Sequence, residues 1–479
     1  MSDTRKRASG SGQLAFVLAA AASAIGLGNL WRFPYLAAQY GGGTFILVYL
    51  CLVVTLGFTL MLSEIAIGRK TQQSQLTAYA RLHRGWGFIG LLGTVVPLLI
   101  VPYYCVIGGW VLKYFVTYCQ MAFCGAAPMG EAAAESGAFF NAFISANFAP
   151  FGYGALFVLA SALVIVLGVK NGIERSNLVL MPALFALAIA ISIYVVCLPG
   201  TGDGLRYYLV PSMDALSVNG SFSFAQLGKT ILGAMGQMFY SLSLAMGIMI
   251  TYGSYMRKGD SIEKCVRRIE VFDTVIAVIA GLMIIPVVYM FAVKTGTPVK
   301  EAMNAGPGLM FITLPKVFAT LGAAGPWVGL AFFSLVIFAA LTSAISLLEA
   351  CVASVCDLLH LDRKPATFFT GALVLFLATF SALGYGAWKD VTVCGQQFLD
   401  FFDFITNSVL MPIVATATCI FIGWVLKPGA VEDEVTAEGN AFKSKVLYRF
   451  MVKYFAPLFV TAILVSEVCR YFKIGGWSI

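Results

Sequence analysis

Residues 13–38 form an apolar run long enough to cross a bilayer, but its middle reads Ser23-Ala24-Ile25-Gly26-Leu27-Gly28-Asn29-Leu30-Trp31-Arg32-Phe33-Pro34. Two glycines, an amide and a guanidinium fall where the membrane midplane should be. Each glycine weakens a helix by about 1 kcal/mol relative to alanine. An arginine deep in the membrane costs about 2.5 kcal/mol or more. A chain that accepts both has a use for the interrupted backbone. Breaks of this kind at mid-depth form sites for ions and small solutes.

The rest of the chain sets this break in a membrane. Of 479 residues, 59% are hydrophobic and 11% charged, with a mean hydropathy of +0.87, whereas soluble domains carry about 25% charged residues. The formal charge of +8 is a topology signal, because the basic residues fall between apolar segments and make no continuous patch. Nucleic acid is excluded as a partner on that ground. The eleven cysteines are scattered, with no CxxC pair beside a histidine, and read as buried thiols. Arg5-Lys6-Arg7 followed by LAFVLAAAASA imitates a cleaved signal peptide. The apolar run continues past the glycines to about residue 38, so it reads as a retained span.

A membrane helix needs about 20 apolar residues. Eleven segments meet that expectation: 13–38, 43–68, 88–117, 152–169, 177–197, 227–256, 270–293, 326–356, 366–386, 398–426 and 446–472. They are called segments 1 to 11 below. With residues 1–12 in the cytoplasm, inner loops and termini hold 20 of the 31 basic residues, so the positive-inside rule predicts a cytoplasmic N-terminus and an external C-terminus. Residues 198–226 and 294–325 are long outer connections, and the second, with Gly306-Pro307-Gly308 and Pro315, predicts a re-entrant or capping element. Residues 427–445 are polar and acidic and predict a flexible cytoplasmic linker ahead of the last segment, in 446–479.

Segment 6 echoes segment 1. It reads Gly236-Gln237-Met238-Phe239-Tyr240-Ser241-Leu242-Ser243-Leu244-Ala245-Met246-Gly247, with hydroxyls and small residues at mid-depth. Two interrupted segments five apart predict inverted repeats, about 13–197 and 227–426, within a transporter core 13–426. The fold class is an all-α polytopic membrane protein with broken segments 1 and 6.

Unwound backbone at the first break offers carbonyls to a small hard cation. The half-helix starting near Leu27 offers N–H groups and a positive dipole end to a carboxylate. A zwitterionic amino acid needs both. In segment 8, Thr342 and Ser343 are adjacent hydroxyls, and such residues taken alone back-bond to the preceding turn. Asp273, inside segment 7, must meet a cation, a proton or a donor. Glu64 either snorkels to the inner surface or bonds freed N–H groups of a broken helix. Asp403 lies at a depth comparable to Arg32 and pairs with it as a candidate outer gate. No nucleophile–base pair or metal cluster points to an enzyme.

Several stretches together resemble the neurotransmitter:sodium symporters, in their bacterial hydrophobic amino-acid branch with the leucine-transporter fold. They are GLGNLWRFP at 26–34, GGGTF at 41–45, SEIAIGR at 63–69, YY at 103–104, GQMFYSLSLAMG at 236–247, ITYGSY at 250–255, DT then AG at 273–281, ALTSA at 340–344 and LDFFDF at 399–404. The resemblance covers about residues 7–426. It implies a sodium-coupled symporter for hydrophobic, aromatic-favouring L-amino acids, working by alternating access as a monomer in a prokaryotic inner membrane. It implies two Na+ ions. The first would use the Ala24 carbonyl, Asn29, Ser241, Asp273 and the substrate carboxylate. The second would use carbonyls of Ala22, Ile25 and Ala339 with the hydroxyls of Thr342 and Ser343. The substrate carboxylate would meet Leu27, Gly28 and Tyr104, and the ammonium Ala24, Tyr240, Ser241 and Ser243. The side chain would face Ile100, Tyr240, Met246, Ser343 and Leu347. Arg32 with Asp403 resembles the outer gate and Arg7 with Asp357 the inner one. Gly172 and Pro182 in segment 5 resemble a family motif where that helix unwinds. One departure is that residues 8–12, Ala-Ser-Gly-Ser-Gly, lack the tryptophan the family places after the N-terminal arginine.

Overall fold

The computed structural model describes residues 12–125, 136–218, 221–303 and 306–471. Among the described residues the fold is nearly all helix, with one sheet, the antiparallel pair Ser217–Val218 and Ser221–Phe222, in the outer connection after segment 5. Among the described residues, nine helices are long and apolar enough to cross a membrane. A tenth span is the bent pair Gln13–Ala24 and Gly28–Gln39, whose halves meet at 55°. The expected count of eleven is not reached on length and apolarity. Segment 6 is the exception, split into Phe224–Ser241 and Ile248–Gly253. Its first half carries Gln226, Lys229 and Gln237, which dilute its hydropathy.

Segment 1 lies at the centre. From Ala19 to Trp31 every residue is buried, which fits a chain that must shield its own broken backbone. Segments 7 and 8, Ile262–Thr295 and Gly325–Leu359, pack against it together with the inner face of segment 5, while segment 3, Gly87–Cys124, reaches it through Tyr104. Segments 4, 5 and 11 are peripheral. Only 33%, 33% and 22% of their most apolar windows are buried, so their outer faces suit lipid rather than core.

Close helix crossings depend on missing side chains. A Cβ on Gly109 of segment 3 would lie 2.4 Å from the Gly154 amide nitrogen of segment 4. Small residues that let backbones touch replace the hydrophobic drive that lipid does not supply. Segment 5 begins with a wide π-type turn, Val169–Glu174, after Gly168 at φ 92°. A Cβ on Gly172 would meet the Val164 carbonyl oxygen at 1.9 Å.

The connection 294–325 folds as a cap. Its helical stretch Leu309–Ala319 is too short to span. Phe311 stacks on Phe140 at 5.2 Å between ring centroids, and Tyr114 donates to the Phe311 carbonyl at 2.8 Å. Residues 427–445 depart from the expected flexible linker. Gly429–Val435 is a helix with Val431, Glu432 and Val435 buried, because its acids find basic partners on neighbouring elements.

The crossing of segments 3 and 4 is testable. Gly109→Val should destabilise the protein by about 1–3 kcal/mol through overpacking. It should therefore lower the thermal midpoint of the purified protein, whereas Gly152→Ala, which meets nothing within 4 Å, should leave it unchanged.

Candidate functional site

The first break starts where the helix Gln13–Ala24 runs out of partners. Ile25 has an extended backbone, φ −77° and ψ 99°, and its N–H still bonds the Ala21 carbonyl at 2.8 Å. The carbonyls after Ala21 leave the helical ladder, as the last ones of any helix do. Side chains from other segments come to them. Ser343 of segment 8 donates to the carbonyls of Ser23 at 3.1 Å and Ile25 at 3.2 Å, and Ser243 of segment 6 donates to Ser23 at 3.2 Å. Beyond the break, the Leu27 N–H reaches the Tyr104 hydroxyl at 3.3 Å and Gln237 donates to the Gly28 carbonyl at 3.1 Å.

The second break faces the first. Segment 6 leaves its helix after Ser241 and resumes at Ile248. Ser243, Ala245 and Gly247 between them have φ of 53°, 59° and 74°. For Ser243 and Ala245 this left-handed backbone costs of order 1 kcal/mol or more each. Glu64 helps hold the turn: it is buried, and its Oε1 accepts the Ala245 N–H at 2.7 Å. Of the two readings of Glu64, the geometry has the bond to a broken helix.

A cavity lies between the breaks. Segment 1 lines it with Ala24, Leu27 and Gly28, segment 3 with Ile100 and Tyr104, segment 6 with Tyr240, Ser243 and Met246, and segment 8 with Ser343 and Leu347. Ser241, also expected at the substrate, does not line it. Ser23, Gly26 and Asn29 line it as well. The floor is polar backbone and hydroxyls. The wall made by Ile100, Met246, Leu347 and the Tyr240 ring is apolar apart from the phenol.

Two glycines fix its shape. A Cβ at Gly28 would lie 2.4 Å from the Tyr240 ring, and one at Gly26 would lie 2.6 Å from Ser343 Oγ and 3.0 Å from the Tyr104 hydroxyl.

Behind the cavity, Ser241 turns to Asp273. Asn29 Nδ2 donates to Asp273 Oδ1 at 2.7 Å and to Ser241 Oγ at 2.9 Å. Ser241 Oγ lies 2.9 and 3.0 Å from the two carboxylate oxygens, and Tyr49 donates to Oδ2 at 3.1 Å. Asp273 is fully buried. Its carboxylate is met by one amide and two hydroxyls, with no basic side chain among them. All the polar atoms gathered here from carboxylate, hydroxyl and carbonyl groups are oxygens, the donor set a hard cation prefers. Among the described residues no group of three or more His, Cys, Asp or Glu suggests a transition metal.

The second expected cation set is split. Ser343 bridges to segment 1, while Thr342 bonds back to Phe338 and Ala339 of its own helix at 3.0 Å each. Ala22 and Ala339 are buried beside these groups in sequence. The Ser23 carbonyl, which two hydroxyls share, was not among the expected residues.

The outer pair is not in contact. The Arg32 guanidinium carbon sits 5.5 Å from the Tyr240 ring centroid, while Asp403 accepts from Tyr103 at 3.1 Å and Asn407 at 2.6 Å. No ion pair joins Arg32 to Asp403 in this structure. Tyr103 therefore does more than pack. At the inner end, Asp357 Oδ2 accepts the Ser74 N–H at 2.7 Å. Arg7 lies outside the described residues.

Known proteins share this arrangement over nearly the full chain. The sodium:neurotransmitter symporter family matches residues 7–130 and 154–477. The chain belongs to that family. An uncharacterized sodium-dependent transporter of Haemophilus influenzae is 30% identical over 476 residues, covering 97% of this chain and 99% of its own. Another from Bacillus subtilis, YhdH, is 32% identical over 459 residues, covering 95% and 96%. A crystal structure of MhsT in complex with L-phenylalanine superposes with a TM-score of 0.83 at 36% identity, covering 96% of this chain and 100% of that one. This symporter is therefore a multi-pass membrane protein of a sodium-dependent transporter family.

In the symporter, Gly28 and Tyr240 should be energetically coupled. Gly28→Ala should destabilise alone and much less in a Tyr240→Ala background. A double-mutant cycle on denaturant unfolding should return a coupling of about 0.5–3 kcal/mol. Additive effects would mean the ring moves aside freely.

Proposed function

We propose that this symporter imports hydrophobic L-amino acids, aromatic ones favoured, coupled to two sodium ions. The observation that carries the reading is the cavity between the two breaks, with polar backbone on one side and an apolar wall on the other. The α-carboxylate is read onto the N–H groups of Leu27 and Gly28 and the Tyr104 hydroxyl. The ammonium is read onto carbonyls of Ala24, Tyr240 and Ser241 and the Ser243 hydroxyl. Among the described residues no charged side chain lines the cavity, which disfavours charged substrates. Met246, unbranched and polarizable, adapts to a large side chain. L-phenylalanine in the related MhsT structure supports this choice of class.

One sodium is assigned to Asn29, Ser241, Asp273 and the Ala24 carbonyl, where it would also neutralise the substrate carboxylate. The other is assigned to carbonyls of Ala22, Ile25 and Ala339 with Thr342 and Ser343, where it would brace segment 1 against segment 8. Ser343 now donates to the Ile25 carbonyl, and turning its hydroxyl would present a lone pair to the ion instead. Arg32 with Asp403 is read as the outer gate, Arg7 with Asp357 as the inner one, and the N-terminus as cytoplasmic.

Purified protein should bind radiolabelled L-phenylalanine or L-tryptophan saturably in sodium and not in potassium. Asn29→Ala should weaken that binding at least about tenfold, equivalent to 1.4 kcal/mol. Sodium-independent binding would instead support proton coupling on the same fold.

Asp273 supplies a negative charge where a chloride would otherwise be needed, and protonation of Asp273 is assigned to the return step. Replacing chloride by gluconate at fixed sodium should leave uptake into proteoliposomes unchanged. Uptake that rises with chloride would remove this assignment.

A further inference from the structure

We propose that residues 427–445 are a strap that fastens the end of segment 2, the second half of segment 6 and the start of segment 7 into one body.

Direct backbone contact already joins two of these parts. A Cβ on Gly68 of segment 2 would lie 1.9 Å from the Ile250 carbonyl oxygen, and one on Gly253 would lie 2.5 Å from that of Ile65. Helix Ile248–Gly253 therefore lies against Phe58–Thr71 with no side chain between them at these points. Arg69, next to Gly68, closes the contact from the side. Its side chain is wholly buried. It donates to the carbonyls of Asp260 at 2.7 Å and Lys258 at 3.3 Å, in the loop that follows Ile248–Gly253. Its carboxylate partner is Glu434 of the strap, at 2.7 Å, and it also bonds the Glu434 carbonyl. A buried guanidinium holds its place only while it is paired.

The far end of the strap is fixed by different chemistry. Glu263, in the first turn of segment 7, accepts the N–H groups of Lys443 at 2.8 Å and Ser444 at 3.0 Å. Just ahead of Glu434, Glu432, also buried, takes Arg449 Nη2 at 2.6 Å from segment 11 and Lys445 Nζ at 3.0 Å from the strap's own end. Two acids of an apparently featureless acidic run are thus committed to basic groups on two other elements. The consequence is mechanical. Residues 248–261 move only with segment 2 and the start of segment 7, so flexing in segment 6 is concentrated at residues 242–247.

The test is hydrogen–deuterium exchange on the full-length protein in potassium, where no transport ligand is needed. Glu434→Gln should raise exchange across residues 248–261 by about tenfold or more, while Arg363–Leu383 keeps its wild-type protection. Glu263→Gln should do the same from the other end, and it carries the test if Glu434→Gln does not fold. The exposed Glu438→Gln is the control and should change nothing there. Wild-type exchange at 248–261 in the two variants would overturn the proposal, as would a rise that extends equally to Arg363–Leu383.

Discussion

The structure depends on the carbonyls released where segment 1 stops being a helix. In a bilayer no water stands ready to bond them, so each must find a partner within the protein. Ser243 and Ser343 reach them from segments 6 and 8, and Tyr104 and Gln237 meet the groups just beyond the break. The same break that costs helical hydrogen bonds therefore decides which four segments gather at the centre. Exchange of these bonds for ion or solute contacts, which would bury no bare polar group, is what the proposed site requires.

Segment 6 answers with strain of its own. Left-handed Ser243 and Ala245 are unfavourable conformations that surrounding contacts must hold. Glu64 does so on one side, and the pairing with Ser23 does so on the other. Asp273 is held by Asn29, Ser241 and Tyr49 from three different segments. That web links segments 1, 2, 6 and 7 through one carboxylate.

Much of this was legible in the residues. Apolar runs of membrane length located most of the spans, although segment 7 begins at Ile262 rather than 270 and segment 3 runs to Cys124 rather than 117, and glycines beside polar groups located both breaks. Ten of the eleven residues expected at a substrate line one cavity. Ser23 was missed, although helix-end logic points to it: if the helix stops at Ala24, its last carbonyls are all orphaned, and Ser23 belongs to that set as much as Ala22 does. Ser241 was expected at the cavity from the family resemblance, through its carbonyl; its hydroxyl turns to Asp273 instead, which the sequence does not show. The role of residues 427–445 was hidden because an acidic run reads as solvated until its partners are known, and Arg69 lies more than three hundred residues away in sequence. The separation of Arg32 from Asp403 was equally hidden, since similar depth does not fix which neighbour a side chain chooses.

The cavity's dimensions are set on one side by hydrogen atoms. At Gly26 and Gly28 even one methyl collides with Ser343, Tyr104 or Tyr240, so that side cannot be remodelled without disturbing side chains that shape the cavity. The opposite side is built from Ile100, Met246 and Leu347, whose side chains can grow or shrink independently. On the proposed reading, exchange among those three apolar residues would alter the range of solutes accepted without adding any atom at the two glycines.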